Sequence, residues 1–305
     1  MASAVPRPGP SSSPPRGFPC PPSRSSAPPP STRSSPAGER NSTEPPDRLT
    51  YVGHATVLLE LDGLRILTDP VLGSRIAHLR RQGPAPSPEV TDRLDALLIS
   101  HLHQDHADRR SLRSLDPETP VFAPRGAGRF LERCGLTAVS ELAPGQSVKI
   151  GRIQITAVEA VHGHGRSPVS RGSEAIGFHL SGSRRVYFAG DTDLFEGMTE
   201  LADKLDLALL PVWGWGPNLG PGHLDPERAA RAAAMLSPRI AVPIHWGTLF
   251  PLGLARLLPG KLSTPPHEFA DWCERLAPRV AVRILQPGEA SPISSLGGGT
   301  VDAQA

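Results

Sequence analysis

The 305-residue sequence has little cysteine, few aromatic side chains and no long apolar run. Its three cysteines, Cys20, Cys134 and Cys273, lie far apart without a CxxC pair, which argues against a disulfide framework or a thiolate metal site. No apolar run reaches the ~18–20 residues that a membrane span requires. The first residues also lack the apolar stretch of a secretory signal. We therefore expect a soluble, cytoplasmic protein.

The body of the chain also lacks an excess of positive charge. Residues 1–47 contain five arginines and three acidic residues, which leaves 27 residues of each sign in positions 48–305. Domains that bind nucleic acid through phosphate contacts normally carry a basic excess. The neutral composition therefore argues against a nucleic-acid partner.

Proline and serine are concentrated in residues 1–47, which hold 14 of the 36 prolines and 11 serines. A segment of this composition buries too little apolar surface to offset the entropy of ordering, so we predict a disordered tail over residues 1–47. We predict a single domain over residues 48–290 and a flexible tail over residues 291–305.

Short apolar runs separated by glycine and proline begin at Leu49 and predict strands alternating with fewer helices. The best-marked helix begins after Asp225-Pro226-Glu227, an N-cap followed by a proline and an acidic first turn, and ends at Ser237-Pro238. This alternation favours an α/β fold with sheets covered by helices. The predicted strands are Thr50–Leu61, Leu64–Thr68, Ala96–Ser100, Val121–Ala123, Val148–Val161, Ile176–Leu180, Arg185–Ala189, Leu207–Val212, Ile240–Ile244 and Val280–Leu285; the other predicted helices are Gly126–Cys134, Met198–Leu205 and Pro266–Leu276.

The densest chemical motif directly follows the apolar run 96–99 and reads Ser100-His101-Leu102-His103-Gln104-Asp105-His106. Imidazole nitrogens and carboxylate oxygens are ligands that Zn²⁺ accepts. Side chains two apart on an extended segment point the same way, so His101 and His103 can share one metal ion. Three further apolar strands each end in a ligand type: His162, Asp191 and His245. Together these residues predict a metal centre at the strand ends.

These motifs resemble the metallo-β-lactamase superfamily, whose HxHxDH motif, later His, GDT and final His occur here in order over roughly residues 49–288. Four stretches are closer still to the branch that includes the N-acylphosphatidylethanolamine-hydrolysing phospholipase D, with the bacterial L-ascorbate-6-phosphate lactonases as the competing group. The resemblance implies a four-layer αββα sandwich. The four stretches are Gly53-His54-Ala55-Thr56, Ile66-Leu67-Thr68-Asp69-Pro70, Ala189-Gly190-Asp191-Thr192 and Ile244-His245-Trp246-Gly247-Thr248.

The resemblance also implies two Zn²⁺ ions per chain, with Mn²⁺ as an alternative because nitrogen and oxygen ligands accept that ion too. It assigns His101, His103 and His162 to the first metal, and Asp105, His106 and His245 to the second, with Asp191 bridging both. His162 is preferred to His164 because it directly follows its strand.

Three further residues are candidates for roles around the metals. We expect Asp69 to orient a ligand imidazole, the alternative being an aspartate that shapes the turn before Pro70. His54 is expected beside the metals, the alternative being a core histidine. His223 is expected to contact substrate or donate a proton; it follows a Gly/Pro loop carrying Trp213 and Trp215, which forms either a pocket wall or a packed connector.

Two segments are candidates for substrate recognition, each with a structural alternative. Thr248–Leu262 is apolar and either lines an acyl channel, rests on a membrane surface or packs against the core. The connection Gly73–Thr91 carries Arg75, Arg80 and Arg81, and either grips a phosphate or is a solvated loop.

The function implied is that of a dinuclear zinc hydrolase in which a metal-bridging hydroxide, oriented by Asp105, cleaves a phosphodiester or a related anionic ester of a small molecule or lipid. Water on Zn²⁺ has its pKa lowered to about 7, so no side-chain nucleophile is needed, and the sequence has no GxSxG motif. One alternative is a lactonase of the L-ascorbate-6-phosphate type. Another is a non-catalytic metal-binding scaffold or sensor, for which loss of Asp105 would be the signature. The sequence does not fix the oligomeric state.

Overall fold

The computed structural model describes residues 46–162, 174–214, 216, 220–258 and 260–296. The predicted tail over residues 1–47 lies outside this part except for Pro46 and Asp47. In chain order the strands are β1 (Arg48–Gly53), β2 (Thr56–Leu61), β3 (Leu64–Thr68), β4 (Arg75–Ile76), β5 (Leu79–Arg81), β6 (Ala96–Leu98), β7 (Val121–Pro124), β8 (Val139–Leu142), β9 (Ser147–Ile150), β10 (Ile153–Glu159), β11 (Ile176–Ser181), β12 (Arg185–Phe188), β13 (Leu207–Pro211), β14 (Ile240–Ile244), β15 (Leu249–Pro251), β16 (Ala281–Val282) and β17 (Glu289–Pro292).

The α-helices are α1 (Arg109–Arg113), α2 (Gly128–Glu132), α3 (Pro226–Leu236), α4 (Gly260–Leu276) and α5 (Ile293–Leu296), and short 3-10 helices cover Pro88–Thr91, Glu196–Ala202 and Leu254–Arg256. Within the described residues, no helix is both long and apolar enough to cross a membrane.

The strands form two seven-stranded sheets and one small sheet. The first sheet has the order β17-β1-β2-β3-β6-β7-β8, the second β16-β14-β13-β12-β11-β10-β9, and the small sheet β15-β5-β4. Half of each large sheet is parallel: β3, β6, β7 and β8 run together in the first, and β12, β13, β14 and β16 in the second. Ligands commonly bind outside the carboxyl ends of such parallel strands.

Alternating side chains explain how the layers stack, because successive residues of a strand point to opposite faces. In the first sheet, Leu59 and Leu98 face the second sheet, whereas Leu58 and Leu97 pack beneath α1 and α2. The helices α3 and α4 cover the outer face of the second sheet, where Phe269 of α4 is fully buried. The protein is therefore a four-layer αββα sandwich, as predicted.

Three predicted elements differ from the structure. The predicted strand Thr50–Leu61 is two strands, because the backbone turns at His54 with a φ of 58°. The predicted helix Met198–Leu205 is the 3-10 helix Glu196–Ala202. The helix predicted to begin at Pro266 begins at Gly260 and contains two buried prolines, which the sequence rules treat as a start signal.

The prediction of a flexible tail over residues 291–305 is wrong for its first part. Strand β17 pairs with β1, and the side chains of Ile293 and Leu296 in α5 are buried. Ile293 also donates its backbone N–H to the carbonyl of Asp47, and the Asp47 carboxylate accepts from the backbone N–H of Asp62. The folded unit therefore includes Asp47 and extends to Leu296, because these contacts bury apolar surface that a tail would leave in water.

Candidate metal centre

The predicted metal ligands meet at one edge of the sandwich, where strands from both sheets end. The segment 101–106 follows β6, His162 follows β10, Asp191 follows β12 and His245 follows β14. The structure brings together all seven predicted ligands, His101, His103, Asp105, His106, His162, Asp191 and His245, in overlapping clusters whose ligand atoms lie within 4.8 Å of one another.

The first ligand group consists of His101, His103 and His162. The Nε2 atoms of His101 and His162 lie 2.9 and 3.0 Å from Nδ1 of His103, so three ring nitrogens converge. The alternative ligand, His164, lies outside the described residues. His162 is in place at the end of its strand, where the sequence predicted it.

The second ligand group consists of Asp105, His106 and His245. The Nε2 atoms of His106 and His245 are 2.9 Å apart, and each lies 3.9 Å from Oδ2 of Asp105. Nitrogen and carboxylate oxygen thus face a common space, as a metal ion with mixed ligands requires.

Asp191 lies between the two groups. Its Oδ2 is 3.2 Å from Nε2 of His106, and its Oδ1 is 3.2 Å from Nε2 of His245. The same carboxylate clusters with His162 of the first group and with His223. A carboxylate in this place can serve both groups at once.

Hydrogen bonds on the outer side of the rings fix the direction of their lone pairs. Carbonyl and carboxylate oxygens only accept, so a ring nitrogen bonded to one of them must carry the proton. The opposite ring nitrogen, Nε2, then presents a lone pair to the centre. The bonds that impose this are His106 Nδ1–H to Asp69 Oδ2 at 2.7 Å, His162 Nδ1–H to the Gly222 carbonyl at 2.8 Å and His245 Nδ1–H to the Trp213 carbonyl at 2.6 Å.

This donor set fits a cation. The lone pair on Nε2 of His245 faces both Nε2 of His106 and Oδ1 of Asp191, and that buried oxygen accepts no hydrogen bond from any residue that the structure describes. Buried acceptor atoms held face to face are unfavourable unless a proton or a cation lies between them. A shared metal ion removes the conflict, and nitrogen and oxygen donors suit zinc or manganese.

Burial and charge act on the protonation of these groups. Burial lowers the pKa of His101 well below its usual value, that of His103 to about 4 and that of His245 to about 3, which keeps all three neutral at pH 7. Burial also disfavours charge on His106, but the carboxylate of Asp191 outweighs it and holds the pKa of His106 well above its usual value. A second proton on His106, held on Nε2, thus lies in the space that a metal ion would occupy.

Asp69 is fully buried behind the candidate ligands and accepts three hydrogen bonds. Its carboxylate accepts from the Ser100 backbone N–H at 2.7 Å, from Ser100 Oγ at 2.6 Å and from His106 Nδ1 at 2.7 Å. Ser100 Oγ in turn lies 3.0 Å from Nδ1 of His101. One carboxylate therefore orients a histidine in each ligand group, which outer residues of metal sites characteristically do.

His54 is also buried beside the second group. Its Nε2 lies 3.1 Å from Oδ2 of Asp105, and its ring lies against that of His245 with centroids 3.7 Å apart. The backbones of His54 and His245 both have positive φ, 58° and 66°, and the His245 N–H donates to the His54 carbonyl at 2.7 Å. Such strained backbone conformations cluster at functional sites, where the surrounding structure holds them in place.

His223 borders a cavity next to the centre. Its Nδ1 lies 3.3 Å from the Pro221 carbonyl, which leaves Nε2 3.6 Å from Oδ2 of Asp191. The cavity has a volume of about 590 Å³ and is also lined by Trp213, Arg228, Lys261 and Glu268 among others. Trp213 is buried and stacks on Phe250, so it is both a pocket wall and a packed residue. Trp215 lies outside the described residues.

Sequence reasoning missed several groups that position the site. The carbonyls of Trp213 and Gly222 have no side-chain signature, so no motif could have found them. Arg81, considered as a phosphate ligand, is buried and donates to the backbone carbonyls of Val52, Gly73 and Val71, which fixes the loop beside β1. Its neighbours Arg75 and Arg80 are exposed.

Comparison with known proteins identifies relatives of the whole domain. A model of the beta-lactamase superfamily domain matches residues 64–246. N-acyl-phosphatidylethanolamine-hydrolyzing phospholipase D 1 of Caenorhabditis elegans is 32% identical over 231 residues, which cover 67% of this chain and 64% of that protein. A UPF0173 metal-dependent hydrolase of Methanopyrus kandleri is 30% identical over 249 residues, covering 79% of this chain and 98% of the relative. The solved structure of Igni18, a metallo hydrolase from the archaeon Ignicoccus hospitalis, matches with a TM-score of 0.59 at 25% identity, covering 80% of this chain and 97% of that one.

Proposed function

The chain belongs to the metallo-β-lactamase superfamily and is a metal-dependent hydrolase, and we propose that it uses two zinc ions to cleave a phosphodiester or a related anionic ester. The observation that carries the proposal is the pair of ligand groups that share Asp191. His101, His103 and His162 would hold one ion. Asp105, His106 and His245 would hold the other, with Asp191 contributing to both.

The charge of such a centre favours an anionic substrate. Two divalent ions bring four positive charges against the two carboxylates of Asp105 and Asp191. When bound, the ions supply Lewis acidity and a water of lowered pKa, so that hydrolysis requires no side-chain nucleophile. The remaining positive charge attracts a phosphate or carboxylate ester and stabilises its transition state.

Asp105 is the residue best placed to orient the attacking water and accept its proton. Burial opposes ionisation of its carboxyl, but the hydrogen bond from His54 and the nearby imidazoles outweigh burial and hold the pKa of Asp105 well below its usual range. The carboxylate is therefore ionised at neutral pH. Its contact with Nε2 of His54, at 3.1 Å, fixes the orientation of Oδ2.

His223 is the residue best placed to protonate the leaving group. It is partly exposed, lines the cavity, and its Nε2 faces the Asp191 carboxylate at 3.6 Å. With Nδ1–H directed at the Pro221 carbonyl, the doubly protonated ring of His223 would also place an Nε2–H between the centre and the space available for substrate, as a general acid requires.

A phosphodiester substrate is supported by two observations. Lys261 lines the cavity and can contact a substrate phosphate, whereas Arg228, which also lines it, is paired with Asp193. One relative, 32% identical, is named for hydrolysis of a phospholipid, N-acyl-phosphatidylethanolamine. An amphiphilic phosphodiester, with a lipid ester as one case, suits both observations.

The test compares kcat/KM of the zinc-loaded full chain on two chromogenic substrates, an aryl phosphodiester and a short lactone. We expect the phosphodiester to be preferred and metal analysis to give two zinc ions per chain. Preference for the lactone would replace the proposed reaction by carbon–oxygen ester opening. A stoichiometry of one metal would contradict the dinuclear assignment.

The role of His223 is tested separately with leaving groups of different basicity. The variant His223→Gln should lose about 100-fold or more in kcat on a phosphodiester with an alkyl leaving group, which needs a proton. It should retain most of its activity when the leaving group is 4-nitrophenolate, and its metal content should be unchanged. Equal losses on both substrates would contradict general acid catalysis by His223.

A further inference from the structure

Exposed apolar side chains are concentrated in one turn beside the cavity. Of the six exposed large apolar residues in the described part of the chain, four lie between Leu252 and Leu258, a segment that we name the leucine turn. Leu257 is 73% exposed, and Leu252, Leu254 and Leu258 are between 39% and 45% exposed. The remaining two, Val161 and Leu276, lie elsewhere in the sequence. A contiguous exposed apolar group rimmed by polar residues marks an interaction site.

The leucine turn is held against the small sheet and leads into the cavity wall. The backbone N–H of Leu252 donates to the carbonyl of His78 at 3.0 Å, and Phe250, two residues earlier, stacks on Trp213. On its other side, the chain enters α4, whose Lys261 lines the cavity together with His223. The apolar surface therefore adjoins the space proposed for substrate.

Positive charge surrounds the leucine turn. The segments 73–82 and 252–262 contain arginine and lysine but no acidic residue. Four of these cations are exposed, Arg75, Arg80, Arg256 and Lys261, and within the described residues none of them forms an ion pair closer than 4.0 Å. Antiparallel pairing of β5 with β15 places Arg80 opposite Phe250, directly before the turn.

We propose that the leucine turn docks the protein onto an anionic phospholipid bilayer. The leucines would enter the headgroup region while the surrounding cations contact lipid phosphates, a combination typical of peripheral membrane anchors. A second copy of the chain fits this surface poorly, because a symmetric contact would bring the unpaired cations together. The inference extends the proposed function, since a lipid ester could reach the cavity from the bilayer, but docking itself requires no hydrolysis.

The test is co-sedimentation of the zinc-loaded full chain with large vesicles. Vesicles of phosphatidylcholine alone are compared with vesicles containing equal amounts of phosphatidylcholine and phosphatidylserine. We expect binding to the anionic vesicles that weakens as salt is added. The variant Leu257→Asp should lower the partition coefficient by roughly tenfold or more, and Arg256→Gln by roughly fivefold.

Leu276→Asp is the matched control, because Leu276 is an exposed leucine at the far end of α4. It should bind vesicles like the unchanged chain, and both aspartate variants should hydrolyse a water-soluble phosphodiester at the unchanged rate. Absence of sedimentation with anionic vesicles would overturn the proposal, as would equal losses in the two aspartate variants. Sedimentation velocity measures the oligomeric state of the same variant. If Leu257→Asp converts a dimer into a monomer and leaves vesicle binding intact, the leucine turn is a subunit interface. Vesicle binding without phosphodiester hydrolysis would reject the proposed function and leave the docking surface standing.

Discussion

Replacing Asp69 with asparagine tests whether hydrogen bonds behind the histidines control metal binding. Asparagine has nearly the same shape and tolerates the positive φ of 34° at this position. One of its side-chain atoms can still accept from the Ser100 N–H. The other becomes an NH₂ donor where Asp69 Oδ2 accepted from both Ser100 Oγ and Nδ1 of His106.

The least costly rearrangement is a change of tautomer at His106. If the proton moves from Nδ1 to Nε2, Nδ1 can accept from the new asparagine, and the donor conflict at that atom disappears. The N–H at Nε2 then points at the space between His106 and His245, where a cation would need a lone pair. We expect the second metal to bind roughly 10- to 100-fold more weakly, about 1.4–2.7 kcal/mol.

The assay is titration of the chelated protein with zinc, followed by calorimetry and by the rise in melting temperature. Metal-induced stabilisation should fall by the same free energy as metal affinity, because only the folded state offers the site. Asp108→Asn is the matched control, since Asp108 likewise accepts from the backbone N–H and Oγ of one serine, Ser111, but touches no predicted ligand. Unchanged affinity of both metals in Asp69→Asn, or an equal loss in Asp108→Asn, would refute the reasoning.

Three other predictions concern the centre. Asp191→Asn should lower the metal content of both groups, and elemental analysis that finds the full metal content would contradict the bridging assignment. Gly190→Ala should also lose metal, because a Cβ there would lie 2.5 Å from that of Ser100 at a φ of 60°, whereas Gly145→Ala, with φ 84° and open space, should lose only about 1 kcal/mol of stability. After chelation, the free energy of unfolding should fall as pH drops from about 6.5 to 4, by about 1.4 kcal/mol per pH unit for each histidine whose pKa is lowered like that of His103, because the unfolded chain binds protons in this range and the folded chain does not. His106, whose pKa is raised, is protonated in both states below pH 6.5 and leaves this slope unchanged there, and melting temperatures across the pH range measure the fall.

The fold and the clustering of the candidate ligands were predictable because both leave a local pattern. Strand periodicity placed the runs before His101, Asp191 and His245, and parallel strands end at the same edge of a sheet. The spacing within residues 101–106 then predicted candidate ligands of both groups from one loop. Where the pattern was not local, prediction failed: the turn at His54 requires a positive φ that histidine rarely adopts, so the sequence reads as one continuous strand.

The edges of the domain were mispredicted for a related reason. Residues after 290 are rich in serine and glycine and look like a tail, but Pro292 pairs with Arg48 and the backbone of Ile293 bonds to Asp47, almost 250 positions away along the chain. The sequence does not show the pairing of β17 with β1, and this pairing is what brings Ile293 and Leu296 to the core. For Thr248–Leu262 the sequence left both exposure and packing against the core open, because an apolar segment next to a strand normally packs inward.

The sequence motif identifies the donor atoms of this centre but not their protonation states. Seven candidate ligands could be named from the sequence, yet which ring nitrogen would face a metal ion depends on the Asp69 carboxylate and on two backbone carbonyls, those of Trp213 and Gly222. Substitutions cannot delete a carbonyl, but they can move it. Changes that shift the loop between β13 and α3 should therefore weaken metal binding without altering any ligand, and the distances from His162 and His245 to these carbonyls should track the loss.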